Sequence, residues 1–310
     1  MSAVVRAGRA RGRTAPRWVP YAFLSPVIVL FSLFFLAPIG YTGYLSLRKV
    51  QVSGLGLGSG ARREVFAGLD NYRDALSDGD LWASIGRVGA YGALVVPIML
   101  GLALLFALLL DTPAARARSF SRISIFLPYA VPAVIASLLW GFLYLPSVSP
   151  FQYLLRSAGI GSIDLLGPDL ILFSVANIAV WGGVGFNMMV IFTSLRSIPP
   201  EIYESARIDG CNERQIALRI KVPMVLPALI MTTVFSMIAT LQVFSEPMTL
   251  RPLTNALATT WTPLMKVYRD AFTIGDLYSA AATSMVVASL TLVLSFGFLR
   301  LVRDNAGGGR

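Results

Sequence analysis

Six stretches of this chain are each long and apolar enough to cross a lipid bilayer, and that feature leaves few folds open to it. Hydrocarbon offers no water to peptide groups, so a spanning segment must satisfy its backbone internally as a helix, or within a closed barrel. At 1.5 Å rise per residue, about 20 apolar residues match a hydrocarbon core about 30 Å thick. The runs fall at 18–47, 85–110, 123–145, 170–195, 222–245 and 278–301. The expected fold is therefore all-α: a polytopic membrane protein with six transmembrane helices. Pro20, Pro26 and Pro38 interrupt the first run, Pro128 and Pro132 the third; neighbouring helices re-satisfy backbone groups freed by such prolines. Composition agrees, with 55% hydrophobic and only 14% charged residues, against about 25% charged in soluble domains.

Charge then sets the orientation. Residues 1–17 carry Arg6, Arg9, Arg11, Arg13 and Arg17 with no acid, and are expected to be a disordered cytoplasmic leader. A signal peptide also places positive charge before an apolar run, but this run continues well past a signal core, so a retained first helix is expected. Residues 18–302 form the transmembrane domain and 303–310 a cytoplasmic tail. An even number of spans puts both termini on one side. The segments on that side hold sixteen basic residues against nine in the longer segments opposite, and basic residues mark the cytoplasmic side. The net charge of +10 is thus read as topology and membrane-surface attraction, with no nucleic-acid partner. Segment 48–82 is polar and glycine-rich, 146–169 is a connector with a short surface helix at 151–158, and 246–276 is a second long connector.

The densest charge lies between the fourth and fifth spans, in SIPPEIYESARIDGCNERQIALRIKVPMVLP, residues 197–227. Pro199 and Pro200 suit a helix start, where no amide donor is needed. Glu201 and Glu204 fall in the first turn, at the positive end of the helix dipole. Ile202, Tyr203, Ala206, Ile208 and Cys211 are expected to supply an apolar surface, and Gly210 a stop or sharp turn. A short amphipathic helix over about 199–213 is expected to lie between two spans.

Glu204-Ser205-Ala206, three residues, Gly210, nine residues, Ile220, one residue, then Val222-Pro223 resembles the E-A-A loop of binding-protein-dependent ABC importer permeases. Ser205 stands for the usual middle alanine and Val222 for leucine. Gly68-Leu69-x-Asn71-Tyr72, and Pro128 and Pro132 followed by Trp140, resemble carbohydrate-type members of that family, as do Trp261, Tyr268 and Phe272 in the last connector. The usual Gly-Leu-Ile/Leu-Asn element and Thr-Gly-Gly-Gly-Pro turn are replaced by PSVSPFQYLL and LRPLTN. The resemblance implies the type I importer permease fold in a bacterial cytoplasmic (inner) membrane. It implies three kinds of partner besides the lipid bilayer: a second, similar permease, two ATPase subunits and an extracytoplasmic solute-binding protein. It also implies that Glu201, Tyr203, Glu204, Ser205, Ala206, Asp209 and Gly210 form a coupling helix docking on an ATPase subunit.

The chain has no G-x-x-x-x-G-K-[ST] phosphate loop. It is expected to be a transport subunit rather than an enzyme and to hold no cofactor, with ATP and magnesium bound by the partner ATPases. With no histidine and one cysteine, Cys211, zinc sites, Ser-His or Cys-His catalysis and a disulfide framework are excluded. An ion-coupled secondary carrier, which usually places charge inside the membrane, finds little support in spans nearly free of it; Glu246 sits only at the outer end of the fifth. A membrane scaffold is the remaining class. Uncharged groups are left to line a solute path: Gly182, Gly183, Phe186 and Asn187 in the fourth span, Thr233, Ser236, Thr240 and Gln242 in the fifth. Asn177 and Trp181 also interrupt the fourth span. An aromatic ring beside hydroxyls suits a sugar. In maltose-type permeases the solute contacts correspond to Gly182, Gly183, Phe186, Ser236 and Thr240, while other family contacts fall on Ala179, Ala239 and Val243, which lack the expected groups. Close helix packing accounts for the same small residues. The expected solute is a sugar or oligosaccharide, with glycerol phosphate or a glycerophosphodiester as the alternative.

Overall fold

A computed structural model describes residues 18–52, 62–112, 117–159 and 163–307. The basic leader expected over 1–17 lies outside them. Helix α1, Tyr21–Ser46, is continuous through a π-helical turn at Ser32–Leu36, and its second half packs on the last helix. The polar segment that follows is more ordered than its glycine content suggests. Strands β1, Arg48–Val52, and β2, Arg62–Phe66, pair antiparallel with Arg48 opposite Phe66. Val50, Val52, Val65 and Phe66 supply the β-favouring side chains of this hairpin. Helix α2, Asp70–Ser77, then closes back on it. Asn71 Nδ2 donates to the carbonyls of Ser46 (2.8 Å) and Arg48 (2.6 Å), and Tyr72 Oη lies 2.6 Å from Ser46 Oγ. The Asn71-Tyr72 pair thus ties the end of α1 to the hairpin.

Helix α3, Gly79–Asp111, starts six residues before the expected span because Asp78 caps it, accepting from the Asp80 amide. The third span departs most from expectation. Helix α4, Arg118–Phe126, with its 3₁₀ turn Leu127–Ala130, meets helix α5, Ala133–Tyr144, at 97°. Val131 is extended, as a residue before proline prefers, and Pro132 has no amide to continue a helix. Helix α6, Pro150–Ser157, is the surface helix, capped by Ser149. Helix α7, Ile171–Arg196, is the fourth span.

Helix α8, Pro200–Ile208, is shorter than the expected 199–213. Gly210 adopts φ +83°, the Gly210 amide donates to Arg207 O and the Cys211 amide to Ala206 O, which is a Schellman stop. Helix α9, Glu213–Ile216, starts afresh from an Asn212–Gln215 capping box. A π-helical segment, Ala217–Lys221, and one turn, Val222–Met224, lead to helix α10, Leu226–Leu241. Helix α11, Ser245–Leu250, extends the fifth span to Leu253, past its expected end at residue 245. Helix α12, Pro263–Tyr268, and a π-helical segment, Arg269–Ile274, precede helix α13, Leu277–Gly307, which continues into the segment expected to be a tail. Among the described residues five helices are long and apolar enough to span, or six with the bent α4–α5 pair.

The core is the α3–α7 pair. Tyr91, Val95 and Ala103 of α3 and Val175, Met188 and Ile191 of α7 are nearly or fully buried in it. Close approach is possible because α7 carries glycine where its neighbours press: a Cβ on Gly185 would lie 2.7 Å from Phe126 Cα, and one on Gly183 would strike Met99 Sδ. At the end of the bundle away from α8, charge does the fastening. Lys266 Nζ lies 2.8 Å from Asp78 Oδ2 and 2.7 Å from Asp270 Oδ2, and Arg87 donates to the carbonyls of Thr260 and Trp261. Burial works against the Lys266 ammonium, yet its hydrogen bonds to Asp270 and Asp78 outweigh this and hold its pKa above the ordinary lysine value.

Gly185 and Gly182 test this packing against each other, since a Cβ at Gly182 meets nothing within 4 Å. Gly185→Ala is expected to cost about 1–3 kcal/mol by overpacking and Gly182→Ala close to nothing. Thermal unfolding of the two purified variants checks this; equal midpoints would contradict it.

Candidate functional site

Two features stand out, a cavity within the bundle and an exposed helix at one end. The cavity, about 730 Å³, opens where the α4–α5 bend faces α3, α7, α10 and α11. Every expected path residue retained from the fourth and fifth spans lines it except Thr233: Gly182, Gly183, Phe186, Asn187, Ser236, Thr240 and Gln242. Ala179, Ala239 and Val243 line it too, as apolar wall. Its floor is polar but internally bonded. Asn187 Nδ2 donates to Gly183 O (2.9 Å), Ser236 Oγ lies 3.4 Å from Asn187 Oδ1, and Thr240 Oγ1 donates to Ser236 O (2.7 Å). The hydroxyl oxygens keep lone pairs free for a solute.

The two neighbouring glycines differ. Gly182 faces open space; Gly183 is filled by Met99, so close packing accounts for it. Thr233 departs from the hydroxyl stripe: it bonds Leu229 O and faces a separate apolar groove with Val88, Gly92 and Leu294. Asn177 and Trp181 belong to the α5–α7 contact, where Asn177 Nδ2 donates to Tyr144 Oη and Trp181 meets Trp140 edge-on.

Three lining residues escape a reading of single spans. Tyr129, held between Pro128 and Pro132 at the bend, stacks on Phe186 with centroids 5.0 Å apart. Tyr91, buried on α3, meets Trp261 edge-on. Glu246 was expected at the outer end of its span, but lies in the first turn of α11 and lines the cavity. Its position follows from the dipole, which favours a carboxylate at a helix N-terminus. The prolines flanking Tyr129 were the available signal for the first of these.

At the opposite end, α8 stands out from the bundle. Glu201, Glu204, Ser205, Asp209 and Gly210 are exposed, Ala206 is buried and Tyr203 half-buried against the core. Ile208 does not join the packed surface: it is 86% exposed, and Ile202 is exposed beside it. Arg207 bridges the Gly210 turn to Glu213 at 2.9 Å. Beneath α8, Lys221 Nζ lies 2.5 Å from Asp111 Oδ2 and 4.9 Å from the Tyr203 ring centre, with both charged side chains about 95% buried. Burial, then the Asp111 charge, raises the Tyr203 phenol above its ordinary pKa. This buried pair joins the end of α3 to the lead-in of α10, two helices that line the cavity further along.

Three comparisons bear on this arrangement. A family model described as binding-protein-dependent transport system inner membrane component matches residues 100–304. The sn-glycerol-3-phosphate transport system permease protein UgpA of Shigella flexneri is 29% identical over 293 residues, covering 93% of this chain and 95% of that protein. Its Agrobacterium fabrum counterpart is 28% identical over 295 residues, covering 94% and 97%. Among solved structures, a chain of a bacterial ABC transporter involved in import of the acidic polysaccharide alginate superposes with a TM-score of 0.79 at 21% identity, covering 93% of this chain and 96% of that one. A second structure, of the alginate transporter in complex with an alginate pentasaccharide-bound periplasmic protein, gives 0.78. The family match takes in α8, the bent α4–α5 pair and most of the cavity wall, and the chain belongs to the family of inner membrane components of binding-protein-dependent transport systems.

Proposed function

We propose that this transport component is the permease half of an ATP-driven importer for a neutral sugar or oligosaccharide. The cavity lining carries the reading. Phe186 and Tyr129 offer a stacked aromatic surface for a sugar's apolar face. Asn187, Ser236, Thr240 and Gln242 offer polar groups, and among the described lining residues the one charged side chain is the Glu246 carboxylate, with no cation beside it. A carboxylate accepts hydrogen bonds from sugar hydroxyls and repels an anion. Glycerol phosphate or a glycerophosphodiester is the second reading, favoured by the relatives' names; it requires the partner permease to bring the positive charge. An ion-coupled carrier or a scaffold has no such use for an exposed helix with a buried charge pair beneath it.

In this reading α8 is the coupling helix. Glu201, Glu204, Ser205, Asp209 and the exposed Ile208 dock on an ATPase subunit, while Tyr203 and Ala206 anchor the helix to the bundle. A second permease, two ATPase subunits that bind ATP and magnesium, and an extracytoplasmic binding protein complete the complex. The α8 end faces the cytoplasm, with both termini. ATP-driven closure of the ATPases pushes on α8, and rigid-body rocking of the helices carries the cavity from one side to the other.

ATPase activity of the complex purified in lipid is expected to rise with binding protein plus a neutral disaccharide. If only glycerol-3-phosphate stimulates, the neutral reading fails; if no ATPase co-purifies and uptake follows an ion gradient, the importer reading fails. Gly210→Val, strained at φ +83°, is expected to leave membrane insertion intact and abolish stimulated ATPase and uptake; normal uptake would sink the coupling role. Phe186→Ala is expected to weaken solute-dependent uptake about 3–10-fold, from the roughly 0.5–1.5 kcal/mol of an aromatic contact, with basal ATPase unchanged. Unchanged uptake would remove Phe186 from the path.

A further inference from the structure

A second cavity, about 370 Å³, lies at the α8 end between α4 and α7. Arg118, Arg122 and Arg196 all line it, with Ser119 and Thr193, and neither the transport path nor α8 uses it. Three guanidinium groups around one space repel each other unless something negative sits among them. Among the described residues none of the three forms an ion pair, and the near acid, Asp111, is engaged by Lys221. Arg118 donates from Nη2 to Thr112 O at 2.5 Å, but its Nε is buried with no hydrogen-bond partner, an uncompensated donor of the kind that marks an unfilled site.

The helix itself deepens the imbalance. The nine-residue α4 begins at Arg118 with no side-chain cap and no acid in its first turn. Its positive dipole end therefore adds to the charge of Arg118 and Arg122 in its first turns, a combination that costs stability without an anion. The remaining wall is apolar: Leu110, Met189 and Phe192. Nearby Leu109, Phe120 and Ile123 are exposed, as on a surface that faces lipid. An inorganic anion would use only the charged end of this cavity. A molecule with a phosphate at one end and hydrocarbon at the other uses both, and basic pockets between transmembrane helices suit such headgroups.

We propose that this cavity binds the phosphate headgroup of an anionic phospholipid. Arg118, Arg122 and Arg196 neutralise the phosphate, the Ser119 hydroxyl donates to it, and the first-turn amides of α4 complete its shell. Leu110, Met189 and Phe192 receive the start of an acyl chain. The bound lipid fastens α4 to α7 at the point where the bent span enters the membrane, and so makes the lower half of that span depend on leaflet composition. The proposal requires only that the chain sits in a membrane; it does not depend on the solute or on ATP coupling.

The test uses the full chain, purified with whatever subunits accompany it, after reconstitution in vesicles of equal phosphatidylglycerol and phosphatidylcholine. The complex is returned to detergent, and retained lipid is counted by native mass spectrometry. The wild type is expected to retain phosphatidylglycerol over phosphatidylcholine by at least about tenfold. That preference is expected to fall close to unity in R118Q/R122Q/R196Q and to stay unchanged in Arg214→Gln, an exposed position on α9 away from this cavity. The wild-type comparison stands even where the triple variant fails to fold. No wild-type preference, or a preference that survives loss of the three arginines, would overturn the proposal. Complete displacement of phosphatidylglycerol by excess inorganic phosphate would also overturn it, by making this a free-anion site. Loss of the preference only when an ATPase subunit is bound would point instead to an acidic protein partner at this surface.

Discussion

The approach of α7 to α3 and α4 is the constraint on which the rest depends. Transmembrane helices gain little from hiding apolar side chains, because lipid is equally apolar, so they associate through close contact and a few polar bonds. Gly183 lets Met99 reach α7, and Gly185 lets the Ile125–Phe126 backbone do the same. With α7 wedged against both, the 97° bend at Val131–Pro132 is held open against it, and the cavity is the space that the bend leaves. Tyr129 stacks on Phe186 because both approach that gap from opposite sides.

Polar interactions fasten the two ends of this frame, and they differ in kind. At one end Lys266 shares Asp78 and Asp270, and Arg87 takes two backbone carbonyls, so the last connector is fastened to the start of α3. At the other, one pair, Asp111–Lys221, lies beneath α8. A buried pair contributes little net stability beside well-packed apolar groups, because desolvation offsets most of the attraction; removing one partner costs about 3–5 kcal/mol. Such a pair fixes a geometry more than it adds strength. Here it keeps the ends of α3 and the α10 lead-in together under Tyr203.

Much of this was legible in the residues, within limits set by physics. Length and apolarity placed the fourth span to within one residue, because water-free surroundings admit one backbone solution. Gly210 announced its turn, since few other residues accept φ +83°. The bend in the third span was not legible because prolines tolerated in one membrane helix can also break it, and neighbouring packing decides which. Glu246 was misplaced because an acid reads as the end of a span unless the restart of a helix behind it is visible. The apolar residues of α8 were readable by type, but not their division between Ala206, which is buried, and Ile208, which is exposed. The hairpin at 48–66 was hidden in glycine-rich polarity, its pairing being a relation between two short strands rather than a property of either. In the cavity, residue types on single helices were readable; the match between Tyr129 and Phe186, which lie 57 positions apart in the chain, was not.

The distribution of charge links these parts. Among their described lining residues, the larger cavity holds a carboxylate and no cation, whereas the cavity at the α8 end holds three guanidinium groups and no acid. Both are lined by α7, whose middle contributes Phe186 and Asn187 and whose last turn contributes Arg196. Of these charges only Arg196 belongs to α7; the carboxylate, Glu246, is presented by α11 across the first cavity. Translation of α7 is opposed by the glycine contacts, where Met99 and the Ile125–Phe126 backbone lie against it. Under the proposed importer mechanism, the motion that preserves these contacts is rigid-body rocking of packed helices.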